Sequence, residues 1–173
     1  MNVLAKFRHI TTFVFDVDGV LTDGTLLVLE NGLQARRMHI KDGLGLQMAL
    51  RNGFRVWVIS GSQSDPVTDR LHRLGVTDVH MGVRDKEALL EEYVRRLGLE
   101  WEELLYMADD LPDLAAMQRV GVACCPADAV SEIRGIAHYI SPLGGGQGCV
   151  REVIEKVLKV QSRWQFETGV QSR

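Results

Sequence analysis

The stretch Phe13-Val14-Phe15-Asp16-Val17-Asp18-Gly19-Val20-Leu21-Thr22-Asp23-Gly24 organises the rest of the chain. Residues 12–15 form a short β-branched and aromatic run of the kind a buried strand needs, and the run ends abruptly in two carboxylates spaced i, i+2 and a glycine. Carboxylates at the end of a buried strand add nothing to its stability. In open α/β sheets ligands bind beyond the carboxyl ends of the strands, so Asp16 and Asp18 stand where a reactive group would be placed.

Further along, residues 25–30 and 33–40 are strand-like runs separated by Asn31-Gly32, which predicts a hairpin at about residues 24–40 with both turn residues at positive φ. Leu27, Leu29 and Leu33 are apolar for an exposed ribbon, which favours a flap or an oligomer contact over a surface decoration. Lys41-Asp42-Gly43 opens a helix that Gly53 closes. A strand over 54–59 ends in Ser60-Gly61-Ser62, and Ser64 with Pro66 starts a helix running to Gly75. A short strand over 77–81 precedes a helix with Asp85 as N-cap and Gly98 as stop. The strand over 104–108 ends in Asp109-Asp110, and a helix follows over 112–119. Strand 120–124, helix 129–134, strand 137–140 and helix 150–160 complete the pattern. This alternation, with continuously apolar strands, predicts a doubly wound (Rossmann-like) parallel α/β sheet covered on both faces. Residues 1–160 are expected to form one domain with no cap domain, and the polar tail 161–173 to be mobile.

The 173-residue chain, 46% hydrophobic and 25% charged, is long enough for one well-buried core. Its net charge of -3, with dispersed Lys and Arg, excludes a nucleic-acid or membrane surface as main partner. No apolar run approaches the ~20 residues of a membrane span, and the N-terminus lacks an apolar signal core, so a soluble, cytoplasmic protein is expected. The three cysteines are odd in number, Cys124 and Cys125 are adjacent, and no C-x-x-C occurs, which reads as reduced, buried thiols.

The fold brings the strand ends to one edge. There Asp16 and Asp18 meet Ser60 and Gly61, Lys86 at a helix start, and Asp109, Asp110 and Asp113. Taken singly, each has an ordinary reading as a turn, a solvated lysine or a helix cap. Grouped, the carboxylates would repel one another without a cation, and oxygen-only ligands select Mg²⁺. A carboxylate beside Mg²⁺ can attack phosphorus as a nucleophile, giving an aspartyl-phosphate. The transferring phosphoryl group then needs a hydroxyl, a backbone N–H and an ammonium around it, which Ser60, Gly61 and Lys86 offer. Asp18 has the spacing for a general acid and base.

In its ordered motifs the chain resembles the haloacid dehalogenase superfamily of Mg²⁺ phosphatases: Asp16-x-Asp18-Gly-Val-Leu-Thr-Asp-Gly, Ser60-Gly61, Lys86 and Asp109-Asp110-x-x-Asp113. The Asn-Gly hairpin, His39-Ile40-Lys41-Asp42-Gly43, and Gly145-Gly146-Gln147-Gly148 with Arg151-Glu152 are similar to the capless 3-deoxy-D-manno-octulosonate 8-phosphate phosphatases. The resemblance spans about residues 10–158. It implies Asp16 as nucleophile and metal ligand, and Asp18 as general acid/base and, through its main-chain carbonyl, metal ligand. It further implies Asp109 as the other metal ligand, Ser60 and Lys86 on the phosphate, and Asp110 or Asp113 as supporting groups. Gly61, His39, Lys41, Asp42 and Gly43 join the substrate-binding set. A homotetramer is implied too, in which one subunit's hairpin covers the next subunit's site and the Gly-rich stretch approaches a neighbouring site.

The chain departs from the family pattern in three places. Ala108 stands where a glycine is common, and Ser62 and Gln47 stand where octulosonate phosphatases carry arginine. Neither Ser nor Gln supplies the bidentate fork with which Arg recognises a carboxylate. Arg70 and Arg73 are the remaining substrate-binding candidates, and a nonulosonate 9-phosphate (the deaminated acid or N-acetylneuraminate) is the alternative small phosphorylated sugar-acid substrate. Other readings fail on residues. An EF-hand needs an acid at the twelfth loop position, which is Leu27. Gly144–Gly148 lacks the Lys-Ser/Thr of a P-loop, and Gly43-x-Gly45 has no third glycine at Met48. A phosphoaccepting receiver module has no use for an acid two residues after its acceptor.

Overall fold

The computed structural model describes residues 2–165. Six parallel strands form the central sheet: β1 (Thr12–Phe15), β4 (Arg55–Ile59), β5 (Asp78–His80), β6 (Leu104–Met107), β7 (Val122–Cys125) and β8 (Tyr139–Ile140), in the order β5-β4-β1-β6-β7-β8. β1 lies in register with β4 on one side, Phe15 opposite Val58, and with β6 on the other, Phe15 opposite Met107. From β1 the chain fills one half of the sheet and later the other, so the order reverses beside β1 and opens a crevice there. β2 (Leu27–Val28) and β3 (Gln34–Ala35) form the separate antiparallel hairpin.

Alternate strand residues serve two cores. On one face Phe13, Phe15, Val56, Val58 and Met107 pack under α2 (Ile40–Arg51), α3 (Asp65–Arg73) and α7 (Cys149–Val160). On the other, Val14, Trp57, Ile59 and Tyr106 pack under α4 (Lys86–Leu97), α5 (Leu114–Arg119) and α6 (Ser131–Ile136). Both faces are dry, so the strands read as continuous apolar runs. The helix signals hold. Asp85 accepts from Ala88 N at 2.9 Å, while Gly53, Gly75 and Gly98 take positive φ just past their helices.

Three features differ from expectation. A short helix α1 (Val3–Phe7), with Asn2 as its cap, precedes β1 and buries Phe7; five residues are too few for a periodicity signal. Of the two hairpin turn residues only Gly32 has positive φ (81°), and Leu29 N donates to Leu33 O at 2.9 Å to close the loop. Two residues of positive φ are needed only when the loop has two residues, and here three intervene. Finally, the start of the tail is packed: Gln161 Nε2 donates to Phe7 O (2.9 Å) and Ile10 O (2.8 Å), and Arg151 lies over the Trp164 ring. The expectation for 166–173 lies outside the described residues.

Candidate active site

β1 delivers Asp16 to the sheet edge, where its N–H still donates to Met107 O at 3.1 Å. The chain then leaves the sheet in a tight turn over Val17–Leu21, with Gly19 at φ 82°. A β-carbon on Gly19 would lie 2.0 Å from Asp109 Oδ2, so the glycine is demanded twice, by backbone conformation and by the acid beside it. Thr22 Oγ1 accepts from Gly19 N at 3.2 Å and holds the turn.

Lys86 is the centre of the arrangement. Its side chain is 3% exposed, and Nζ donates to Asp16 Oδ1 at 2.9 Å and to Asp113 Oδ1 and Oδ2 at 2.8 and 2.9 Å. Tyr106 donates from the floor of the site to Asp113 Oδ1. Burial alone would lower the Lys86 pKa, but the attraction of Asp16 and Asp113 outweighs it and the net shift is upward. The ammonium therefore stays charged. Ser60, buried at the end of β4, accepts from Ser62 N through Oγ at 3.1 Å, and Gly61 lies beside it on the cavity wall. Asp18 is held at both oxygens, by Arg36 Nε at 2.7 Å and by Ser62 Oγ at 2.6 Å.

These groups converge on one cavity of about 290 Å³ at the carboxyl ends of β1, β4 and β6. Asp16, Asp18, Ser60, Gly61, Lys86 and Asp109 all line it, as the strand-end argument requires, and so do Asp110 and Asp113. Burial pushes the Asp16 carboxyl up to about 6, with the charge of Asp113 adding and Lys86 opposing. Burial, then the charges of Asp16, Asp110 and Asp113, push Asp109 up to about 7. Beside burial, the repulsion between these carboxylates contributes to both shifts, and an incoming phosphate would add to it. A hard divalent cation offsets that repulsion, and the donors on offer are oxygens throughout. Among the described residues no three His, Cys, Asp or Glu side chains cluster as metal ligands. Asp16 and Asp109 line the cavity together and are the carboxylates that would meet such a cation.

Several expected site residues lie elsewhere. Asp42 is buried, and its Oδ1 accepts from Arg151 N at 2.7 Å, so it anchors the start of α7 instead of facing the cavity. His39 caps α2, its Nδ1 accepting from Lys41 N at 3.1 Å. Gly43 packs on Leu74, Lys41 is exposed beside Arg151, and Arg73 is exposed. The Gly-rich stretch meets its own subunit: β-carbons on Gly145 and Gly146 would lie 2.0 Å from Gly19 O and 2.5 Å from Asp23 N. Its glycines permit two backbones to touch behind the catalytic turn. Arg36 and Tyr106 were not anticipated. A lone tyrosine in an otherwise apolar buried strand was the available signal for Tyr106; nothing local marks Arg36.

No protein-family model matches the chain. The 3-deoxy-D-manno-octulosonate 8-phosphate phosphatase of Escherichia coli strain K12 is 33% identical over 162 residues, covering 94% of this chain and 86% of the relative. The crystal structure of the corresponding phosphatase from Moraxella catarrhalis, in complex with magnesium, phosphate and the free sugar acid, superposes with a TM-score of 0.90 at 34% identity, covering 94% of this chain and 93% of that one. The cobalt-bound form of the Haemophilus influenzae enzyme gives a TM-score of 0.86 at 32% identity over 91% and 92% of the two chains. With this likeness covering 94% of the chain, the chain belongs to the 3-deoxy-D-manno-octulosonate 8-phosphate phosphatase family of haloacid dehalogenase superfamily phosphatases.

Proposed function

We propose that the chain is a Mg²⁺-dependent phosphomonoester hydrolase that works through an aspartyl-phosphate and takes a phosphorylated sugar acid, 3-deoxy-D-manno-octulosonate 8-phosphate first among them. The observation that carries the chemistry is the Lys86 ammonium fixed between Asp16 and Asp113 beside the Ser60 hydroxyl. The relatives named above supply the substrate. Residues 1–160 act as one catalytic domain in this reading, in the cytoplasm and as a homotetramer.

Asp16 and Asp109, with the Asp18 carbonyl, would hold Mg²⁺, which neutralises charge on the phosphate oxygens and on the acids around it. Lys86, Ser60 Oγ and the Gly61 N–H grip the equatorial phosphoryl oxygens. Asp16 Oδ attacks phosphorus in line, the P–O bond to the sugar breaks, and the departing alkoxide takes a proton from the Asp18 carboxyl. In the second half Asp18 takes a proton from water as the water attacks phosphorus. The P–O bond to Asp16 breaks and inorganic phosphate leaves. Ser62 Oγ and Arg36 hold Asp18 at the wall of the cavity.

A nonulosonate 9-phosphate is the second reading, favoured by one observation: Ser62 is spent on Asp18, and Gln47 is buried with Oε1 lacking a hydrogen-bond partner among the described residues, so neither position presents a fork to a substrate. Phosphate release with Mg²⁺ across octulosonate 8-phosphate, two nonulosonate 9-phosphates and hexose phosphates separates the two. Asp16→Asn is expected to abolish turnover on every ester and to trap no phosphoenzyme. Ordinary turnover in that variant would remove the nucleophile assignment.

A further inference from the structure

Asp128 lies in the loop between β7 and α6, exposed and apart from the residues that line the phosphate cavity. It nevertheless joins the two segments that carry the acids. The last backbone bond between those segments among the described residues is Asp16 N to Met107 O, at 3.1 Å. Past it, the turn after β1 and the loop after β6 leave the sheet, and no ladder bond fixes the spacing of Asp18 and Asp109. Two loops brace them from behind. The loop of Asp128 grips the Asp109 segment, where Val130 N donates to Asp109 O at 3.0 Å. The Gly-rich loop grips the turn, where Gly146 N donates to Val20 O at 2.9 Å and Gly145 lies against Gly19 O. Asp128 ties one loop to the other, its Oδ1 accepting from Gly145 N at 2.9 Å. A β-carbon on Gly144 would lie 3.1 Å from Asp128 Oδ2, so the carboxylate packs against the loop it holds. An ordinary role as the cap of α6 does not account for Asp128, because the N-cap there is Val130 and no side chain bonds to it.

We propose that Asp128 is a positioning residue for the metal site, setting the distance between Asp109 and the turn that carries Asp16 and Asp18. The assignment rests on the Mg²⁺ reading above, in which Asp16 and Asp109 share the cation. An octahedral cation with oxygen ligands at about 2.1 Å tolerates little error in the separation of its carboxylates. Electrostatics opposes that separation, since the charges of Asp16, Asp110 and Asp113 all bear on Asp109. Steric contact of Gly145 with Gly19 O presses the turn toward Asp109, and the bond from Gly145 N to Asp128 keeps that contact closed. With Gly145 N released, the Gly-rich loop can retreat and the turn can follow it. Part of the binding free energy of the cation then goes into drawing the acids together again.

The test is a Mg²⁺ titration of Tm, run beside steady-state phosphate release, on the wild type, Asp128→Ala and Asp128→Asn. Asp128→Ala should raise the Mg²⁺ concentration at half the Tm rise by about tenfold, and lower kcat at fixed subsaturating Mg²⁺ by a similar factor with KM little changed. Asp128→Asn, which keeps an acceptor for Gly145 N, should restore both to within about twofold of the wild type. If Asp128→Ala does not fold, Asp128→Ser, whose hydroxyl is too short to reach Gly145 N, decides. A lower Tm of the metal-free Ala variant, with the Mg²⁺ midpoint and kcat unmoved, would show a structural brace alone and overturn the proposal while leaving the Mg²⁺ reading standing. An Asn variant as defective as Ala would overturn the role given to this hydrogen bond. A wild type whose Tm and turnover both ignore Mg²⁺ overturns the metal reading and the proposal together.

Discussion

Lys86, Asp113 and Tyr106 form a buried chain of charge-assisted contacts whose purpose is to aim one ammonium at Asp16. Burying such a set is costly, and its electrostatic gain seldom repays the desolvation, so its presence marks a function rather than a stability device. Gly19 is equally exacting. Gly19→Ala would force φ 82° on an L-residue and drive its β-carbon into Asp109 Oδ2. In the metal-holding role proposed for Asp109, a displacement of even an ångström should cost roughly a hundredfold in kcat/KM or more. We expect that loss in phosphate release, together with loss of the rise in Tm that Mg²⁺ gives the wild type. A variant with normal turnover and an undiminished Mg²⁺ effect would remove Asp109 from the metal site. Asp16, Asp18 and Lys86 were legible in the sequence because they stand at strand and helix ends that local patterning locates. Tyr106 was not, since its partner is chosen by the turn after β6 and not by its own neighbours.

α2 and α7 cross closely because Gly45 lets them: a β-carbon there would meet Arg151 Cα at 3.0 Å. The Gly43-x-Gly45 pair is thus a packing device, its first glycine against Leu74 and its second against Arg151. Asp42 locks the crossing by accepting from backbone N–H groups at the start of α7, chiefly Arg151 N. Burial pushes its carboxyl up to about 6 despite those bonds, and Oδ2 has no partner among the described residues. Since the folded-state pKa lies above the unfolded value of about 3.9, the folded protein holds the extra proton between those two pH values. With respect to this group, stability is greatest below about pH 4 and falls as the pH rises through 6. The difference amounts to roughly 3 kcal/mol. Asp42→Asn keeps an acceptor for Arg151 N and removes the titration. Urea denaturation at pH 4.5 and pH 7.5 should therefore show the variant gaining on the wild type by about 2 kcal/mol over that interval. Parallel stabilities across the interval would show that the carboxylate is not desolvated in solution. The family resemblance placed Asp42 among the substrate-binding residues, and its contact with the start of α7 was not legible from its neighbours in the chain.

Among the described residues the hairpin carries three of the most exposed apolar side chains, Leu27, Val28 and Leu33 at 63%, 66% and 63%. Such a ribbon is a liability in a lone subunit and an asset in an assembly. Light scattering at micromolar concentration is expected to give a tetramer of the 19.3 kDa chain, and Leu27→Ser with Leu33→Ser to shift it to smaller species. A monomeric wild type would remove the hairpin as an intersubunit contact. The doubly wound sheet and the cluster of acids at the end of β1 were determined by the sequence alone, because period, burial pattern, caps and strand-end chemistry are local properties of the chain. So were the limits of most helices, set by Gly53, Gly75, Gly98 and the Asp85 cap. The tertiary structure alone decided that the hairpin turns on Gly32, that Arg36 reaches Asp18, that Asp113 rather than Asp110 supports Lys86, and that the Gly-rich stretch backs its own catalytic turn. These are meetings between residues far apart in the chain. Propensity and periodicity say which face a side chain takes, whereas its partner across the site is settled only when sheet, helices and loops pack to a single arrangement.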